Sequence, residues 1–249
     1  MAEAMTEAVM VPGWWIALLL AVWSIYTGDH LLDARRSRAE ALSHRHAFHR
    51  RHSSVLSAAL AGAIVIGLVA ASTLRPPVRL FGIGLTLAVV AYLASAQGAF
   101  LASLPKEPVA GALYAAGIWG GPILMGVGST AWLMLAATLH GLAAILNLAM
   151  LGVFEVDSDS RHEHRSLALR FGRSATTNAV LMAAAIGAFT AAMLAVTQSR
   201  TMPVFTVLAI QIATPALLLL TRRWSEKKER YRLFGDSVFL LGAAPRFLS

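Results

Sequence analysis

The chain has 249 residues, of which 57% are hydrophobic and 14% charged, and it contains no cysteine. A soluble domain has about half apolar and about a quarter charged residues, so this composition excludes an ordinary soluble protein, and the lack of thiols excludes disulfides and thiolate metal sites. The formal net charge of +8 does not indicate nucleic-acid binding, because Arg and Lys lie in short segments between apolar blocks and no nucleic-acid motif is present.

Apolar blocks of roughly 20 residues follow one another along the chain, and a helix of that length spans about 30 Å of hydrocarbon. They predict an all-α, polytopic bundle of seven to eight transmembrane helices, forming a single domain over residues 1–249. The eighth segment, near 233–247, is short and carries polar residues, so it is either a half-span or an interfacial segment. The seven stronger spans are expected at about 12–30, 53–73, 79–103, 108–126, 130–154, 174–197 and 202–221.

Most basic residues follow odd-numbered spans, which places them on one side of the membrane. By the positive-inside rule this side is the cytoplasm, so the N-terminus is predicted to lie outside and two large cytoplasmic loops to lie at about 34–52 and 155–173. No basic region precedes the first apolar run, which argues against a cleaved signal peptide. We therefore expect a multi-pass protein of a bacterial-type inner membrane.

Two carboxylate pairs end the first and fifth predicted spans. Asp29 and Asp33 are four residues apart, as are Glu155 and Asp159, so each pair lies on one helix face. Carboxylates gathered at a surface repel one another unless a cation neutralises them, and Mg²⁺ is usually held by one or two carboxylates together with substrate phosphates. The pairs predict a Mg²⁺ site for a substrate with a diphosphate head and a hydrocarbon tail, although solvated acids paired with nearby arginines are the alternative.

At these residues the sequence resembles the UbiA superfamily of membrane prenyltransferases. Asp29-x3-Asp33 matches the later part of the family's first Asp-rich motif. The family's second motif is similar to the stretch Asn147-x7-Glu155-x3-Asp159-x5-Arg165. The resemblance implies a UbiA-like helix bundle that transfers a prenyl group from an isoprenoid diphosphate to an aromatic or other lipophilic acceptor.

The resemblance also implies roles for individual residues. The catalytic, Mg²⁺-binding set is Asp29, Asp33, Glu155 and Asp159. The metal would stabilise the diphosphate as it departs. Arginine suits phosphate oxygens because its guanidinium can bind them bidentately. The expected substrate contacts are Tyr26, Arg35, Arg36, His140, Asn147 and Arg165.

His140 and Asn147 also stand out without the resemblance. They lie seven residues apart in the fifth predicted span, hence on one helix face. Polar side chains in a span usually face the bundle interior or a cavity. We therefore expect them to line a pocket for the acceptor, with interhelical hydrogen bonding as the alternative.

Two other functions stay open. Ile25 and Tyr26 stand where the family's first motif has Asn and Asp, which favours a non-catalytic relative that binds an isoprenoid lipid or its diphosphate. A small transporter is the third possibility. Against it, the acids lie at the predicted membrane surface rather than at the midplane, where ion and proton relays are found.

Overall fold

The computed structural model describes residues 11–36, 44–95, 106–126, 129–161, 166–198 and 201–246, with side chains over most of these ranges. Every element within them is helical, which confirms the all-α class. The longer helices are α1 (Pro12–Arg36), α3 (Ser53–Ser72), α4 (Pro76–Ser95), α5 (Lys106–Leu124), α6 (Thr130–Arg161), α8 (Arg173–Thr197) and α9 (Met202–Leu220). The shorter ones are α2 (His44–Arg51), α7 (Leu167–Phe171), α10 (Arg222–Ser225), α11 (Arg230–Ser237) and the 3-10 helices Lys227–Glu229 and Val238–Arg246.

Six of the described helices are long and apolar enough to cross a membrane: α1, α3, α4, α6, α8 and α9. They make the chain an integral membrane protein by length and composition. The predicted count of seven to eight spans is not confirmed, because α5, expected to cross at 108–126, is not among the six. It begins with Lys106 and Glu107 and is interrupted by Gly and Pro residues, which lower its hydropathy.

The described residues divide into two compact units, one within Val9–Ile83 and one within Gly84–Ser249. In the first unit α1 and α3 form an antiparallel pair. At one end of the pair, Gly13 of α1 lies against Thr73. In the middle, Gly67 of α3 lies against Leu20 of α1. At the other end, a Cβ at Gly28 would reach Leu60 of α3. That the whole chain forms a single domain stays a prediction.

The second unit is built around α6, which packs against α5, α8 and α9. Close approach depends on small residues, as is usual where no water drives helix association. Gly111 of α5 lies against Ile145 of α6, and Gly187 of α8 lies against Leu142 of α6 and Ile212 of α9. The core between these helices includes Trp119, Leu133, Met150, Phe205, Leu208 and Ile212.

The helix α5 runs antiparallel to α6 along most of its length. Glu107, in the first turn of α5, lies close to Gly152, and Trp119 contacts His140. Both α6 residues belong to the stretch of α6 that can span a membrane. Although its hydropathy is low, α5 is therefore packed inside the bundle.

The C-terminal segment, residues 230–242, turns back along α6 after α9 ends. Tyr231 stacks on Phe154, and Phe239 lies beside His140. These two α6 positions are 14 residues apart, about 21 Å along the helix axis. The predicted eighth segment thus enters the bundle antiparallel to α6. The reversal before it uses two non-glycine residues with positive φ, Lys228 at 55° and Glu229 at 53°.

Candidate functional site

The interior face of α6 presents polar groups at successive depths. His140 is 3% exposed and Asn147 is 6% exposed, which confirms that both point into the bundle as expected. Two turns beyond Asn147 comes Glu155, whose carboxylate is partly buried. The polar groups face the interior because lipid cannot satisfy their hydrogen bonds, whereas polar groups on neighbouring helices can.

His140 is held by an aromatic surround. Its Nδ1 accepts a hydrogen bond of 3.0 Å from Nε1 of Trp119, so Nδ1 carries no proton and the neutral ring has its proton on Nε2. Tyr114 meets the imidazole edge-on at 5.3 Å between ring centroids, and Phe239 stacks on it at 5.8 Å. Within the described residues, the buried Nε2 has no hydrogen-bond partner. The site thus offers one N–H donor inside an apolar, aromatic wall.

Asn147 connects α6 to the C-terminal segment. Its Nδ2 donates to Oδ1 of Asp236 at 3.4 Å, while its Oδ1 faces Gly235, where a Cβ would lie only 2.5 Å away. The absence of a side chain at Gly235 lets the segment approach α6 this closely. Gln211 of α9, fully buried, donates through Nε2 to the carbonyl oxygen of Val238 at 3.4 Å. Two amide side chains therefore bind the same short segment from two helices.

Glu155 forms an ion pair with Arg232 of the C-terminal segment. The Nη2 of Arg232 lies 2.6 Å from Oε1 of Glu155, and both side chains are only about one-fifth exposed. Burial raises the pKa of Tyr231, so its hydroxyl stays protonated at neutral pH and can accept from Nε of Arg232 at 3.5 Å. Burial alone would lower the pKa of Arg232, but the hydrogen bond to Tyr231 and the charge of Glu155 raise it overall. The guanidinium is therefore charged.

The three acids at this end of α6 have different environments. Asp157 is exposed and pairs with Arg173 at 3.0 Å. Asp159 is 8% exposed, one helical turn beyond Glu155. Glu155 and Asp159, the two predicted metal ligands on α6, are therefore the sheltered acids, and the acid between them faces outward.

Glu107 was not recognised from the sequence. It is 1% exposed, and its Oε1 accepts a hydrogen bond of 2.8 Å from the backbone N–H of Leu167. It thereby joins the start of α5 to α7, next to Ser166, whose side chain caps α7. In the sequence, Glu107 is only an acid at the edge of an apolar block. That pattern is as typical of a solvated helix end as of a buried acid that links two helices.

The first motif lies in the other compact unit. Asp29 is in the last third of α1. Tyr26 is 54% exposed, and its ring meets that of His30 edge-on, with the ring centroids 4.2 Å apart. The backbones of Asp33, Arg35 and Arg36 belong to the end of α1, but their side chains, and all of Arg165, lie outside the described part. The joint site formed by the two motifs stays a prediction.

The donor set on α6 fits Mg²⁺ in part. Glu155 and Asp159 supply two hard oxygen ligands one turn apart, which matches an ion that usually takes one or two carboxylates and completes its shell with water and phosphate. Among the described residues, no three His, Asp or Glu side chains form a group that could hold a metal. Glu155 and Asp159 would therefore hold Mg²⁺ together with water, substrate phosphate or ligands outside the described residues.

No protein-family model matches the chain, and no curated protein or solved structure is significantly similar to it. The UbiA resemblance therefore depends on the motif residues alone.

Proposed function

We propose that the chain is a membrane-embedded, Mg²⁺-dependent prenyltransferase. It would move a prenyl group from an isoprenoid diphosphate to an aromatic or other lipophilic acceptor. The observation that carries this proposal is the order of groups along α6. The sheltered carboxylates Glu155 and Asp159 lie at one end, and the buried Asn147 and His140 lie deeper, among aromatic rings.

This order suits a substrate with a charged head and an apolar tail. Glu155 and His140 are 15 residues apart, about 22 Å along the helix, a length that an extended prenyl chain can cover. In this proposal Asp29, Asp33, Glu155 and Asp159 hold Mg²⁺, which when bound neutralises the departing diphosphate. Asn147, two turns from Glu155, orients the polar group of the acceptor, and the aromatic surround of His140 receives the apolar tail.

The placement of α5 supports the proposed topology. Because α5 runs beside the spanning stretch of α6, we propose that it crosses the membrane as well, which makes seven spans. The basic segments then lie on one side, with the N-terminus outside and the Glu155 end of α6 in the cytoplasm of a bacterial-type cell.

One observation favours a non-catalytic, isoprenoid-binding relative as the second candidate. Arg232 neutralises Glu155 at 2.6 Å, so the charge of this carboxylate is balanced without a metal. The two candidates differ in turnover. The enzyme releases diphosphate when an acceptor is supplied, whereas the binding protein retains the intact ligand.

The test is equilibrium binding of radiolabelled geranyl and farnesyl diphosphate to the purified protein in detergent, with and without Mg²⁺. Asp29→Ala and Asp159→Ala should each weaken Mg²⁺-dependent binding by at least about 10-fold, since loss of even an indirect metal contact has an effect of that size. Asp157→Ala is the matched control, because Asp157 is exposed and pairs with Arg173. It should bind like the wild type. Binding that ignores the metal and both substitutions, or no binding at all, would rule out the proposal.

A further inference from the structure

The C-terminal segment reaches the candidate site at three depths. Tyr231 stacks on Phe154 with ring centroids 4.4 Å apart and planes 13° apart. Deeper in the bundle, Asp236 accepts from Asn147. Deepest of the three, Phe239 contacts both His140 and Tyr114. A segment fixed at three positions along α6 holds its intervening side chains in defined places.

Arg232 is the charged residue that this anchoring places beside the predicted metal ligands. Its neighbour Tyr231 is stacked on α6, so the backbone at Arg232 is fixed and the guanidinium meets Glu155 directly. A guanidinium has five N–H donors. Nη2 contacts Glu155, and Nε faces Tyr231 and, at 3.7 Å, Glu229. The remaining N–H groups of the guanidinium can donate to a further oxyanion.

Other arginines near this end of the unit have different surroundings. Arg173 is paired with the outward-facing Asp157, and Arg222 is paired with Glu226 on the surface. Arg230 lies over the ring of Trp224 at 4.7 Å. Of these, Arg232 is the one that touches a carboxylate assigned to the metal.

We propose that Arg232 binds the diphosphate of the substrate, an inference that rests on the proposed function. Without substrate the guanidinium balances the charge of Glu155. In the substrate complex the guanidinium of Arg232 would donate to a phosphate oxygen, and Glu155 would be among the residues that hold Mg²⁺. The C-terminal segment then contributes to the diphosphate site together with the carboxylates of α6.

Arg232→Gln tests this role, with Arg173→Gln as the matched control from the same end of the bundle. Geranyl diphosphate with Mg²⁺ is the first ligand, and farnesol, which has an apolar tail but no diphosphate, is the second. Loss of a charge-assisted hydrogen bond should weaken geranyl diphosphate binding by about 10-fold or more in Arg232→Gln. Farnesol binding should not change, and Arg173→Gln should bind both ligands like the wild type.

Three results would overturn the assignment. Undiminished or tighter geranyl diphosphate binding by Arg232→Gln would show that Arg232 only balances Glu155. An equal loss of farnesol binding would indicate a structural role. Competition by phosphatidylglycerol that depends on Arg232 would assign the guanidinium to lipid headgroups instead.

A control for folding is needed, because Arg232→Gln removes the cation that pairs with Glu155. Thermal unfolding in detergent shows whether the variant is folded. If it is not, Arg232→Lys retains a cation that can donate to a phosphate. It should bind geranyl diphosphate more tightly than Arg232→Gln and farnesol like the wild type, and equal loss of both ligands would overturn the proposal. Failure of the wild type to bind geranyl diphosphate with Mg²⁺ removes both the proposed function and the role of Arg232. Wild-type binding with an unaffected Arg232→Gln removes only the latter.

Discussion

The helices α3 and α6 are both apolar enough to span a membrane, yet they have opposite surroundings. Only 11% of the apolar stretch of α3 is buried, compared with 61% of that of α6. In α3 the buried residues are the two alanines Ala63 and Ala70, while its larger side chains, such as Val65 and Leu68, are exposed. The buried helix is the one that carries His140 and Asn147.

Hydropathy therefore identifies a helix that can span the membrane, but it does not show whether that helix is buried in the bundle or exposed. Lipid tails are as apolar as leucine, so an apolar surface has no preference for another helix over lipid. Polar side chains and small residues do have such a preference, and α6 and its neighbours carry both. Three pairs of substitutions, each measured by stability in detergent, test the difference between buried and exposed positions.

The largest effect is expected from removing a buried leucine. Leu133 of α6 is 1% exposed and Leu68 of α3 is 66% exposed. Leu133→Ala should lower the free energy of unfolding by about 2–5 kcal/mol, because a cavity is left where the side chain packed. Leu68→Ala, which leaves no cavity, should change it by less than about 1 kcal/mol. Equal losses in thermal or denaturant unfolding would contradict the burial difference.

A smaller effect is expected from adding a methyl group at a helix contact. A Cβ at Gly111 would collide with Ile145 and lie 3.1 Å from the carbonyl oxygen of Gly141, whereas a Cβ at Gly62 of α3 would meet nothing within 4 Å. Gly111→Ala should destabilise by about 1–3 kcal/mol through overpacking. Gly62→Ala should be neutral or stabilise by up to about 1 kcal/mol, since alanine favours a helix over glycine. A stable Gly111→Ala protein would mean that α5 does not pack on α6 this closely.

The smallest of the three effects concerns the hydrogen bond that supports His140. Trp119→Phe keeps most of the ring but removes the donor to Nδ1. Leaving that buried nitrogen unsatisfied should lower the free energy of unfolding by about 1–2 kcal/mol. Trp23→Phe is the control, because Trp23 of α1 is 37% exposed, and its effect should stay within about 0.5 kcal/mol. Identical melting temperatures for the two variants would remove the support for a fixed imidazole.

Several helix boundaries were predictable from the sequence. The predicted starts at 12, 53, 130, 174 and 202 fall within a residue of Pro12, Ser53, Thr130, Arg173 and Met202, because each apolar run begins abruptly. The end of α6 was not predictable in this way, since the helix continues from 154 to Arg161. Hydropathy indicates where an apolar run ends, but the helix itself ends only where its backbone hydrogen bonds end.

The candidate site was predictable only in part. The inward direction of His140 and Asn147 follows from their polarity in an apolar span. Their partners do not follow, because Trp119 is 21 residues from His140 and Asp236 is 89 residues from Asn147. Nothing local in the sequence distinguishes Arg232, which sits in a basic run, as the partner of Glu155.

The local sequence is enough to predict a helical membrane protein, because the length and apolarity of each run depend only on local residues. It also determined the spacing of the carboxylate pairs, since a helix places residues four apart on one face. The central position of α6, the packing of α5 along it and the return of the C-terminal segment to Glu155 are visible only in three dimensions. Those arrangements depend on long-range contacts at Gly111, Gly187 and Gly235, where the missing side chain matters only once the partner helix is in place.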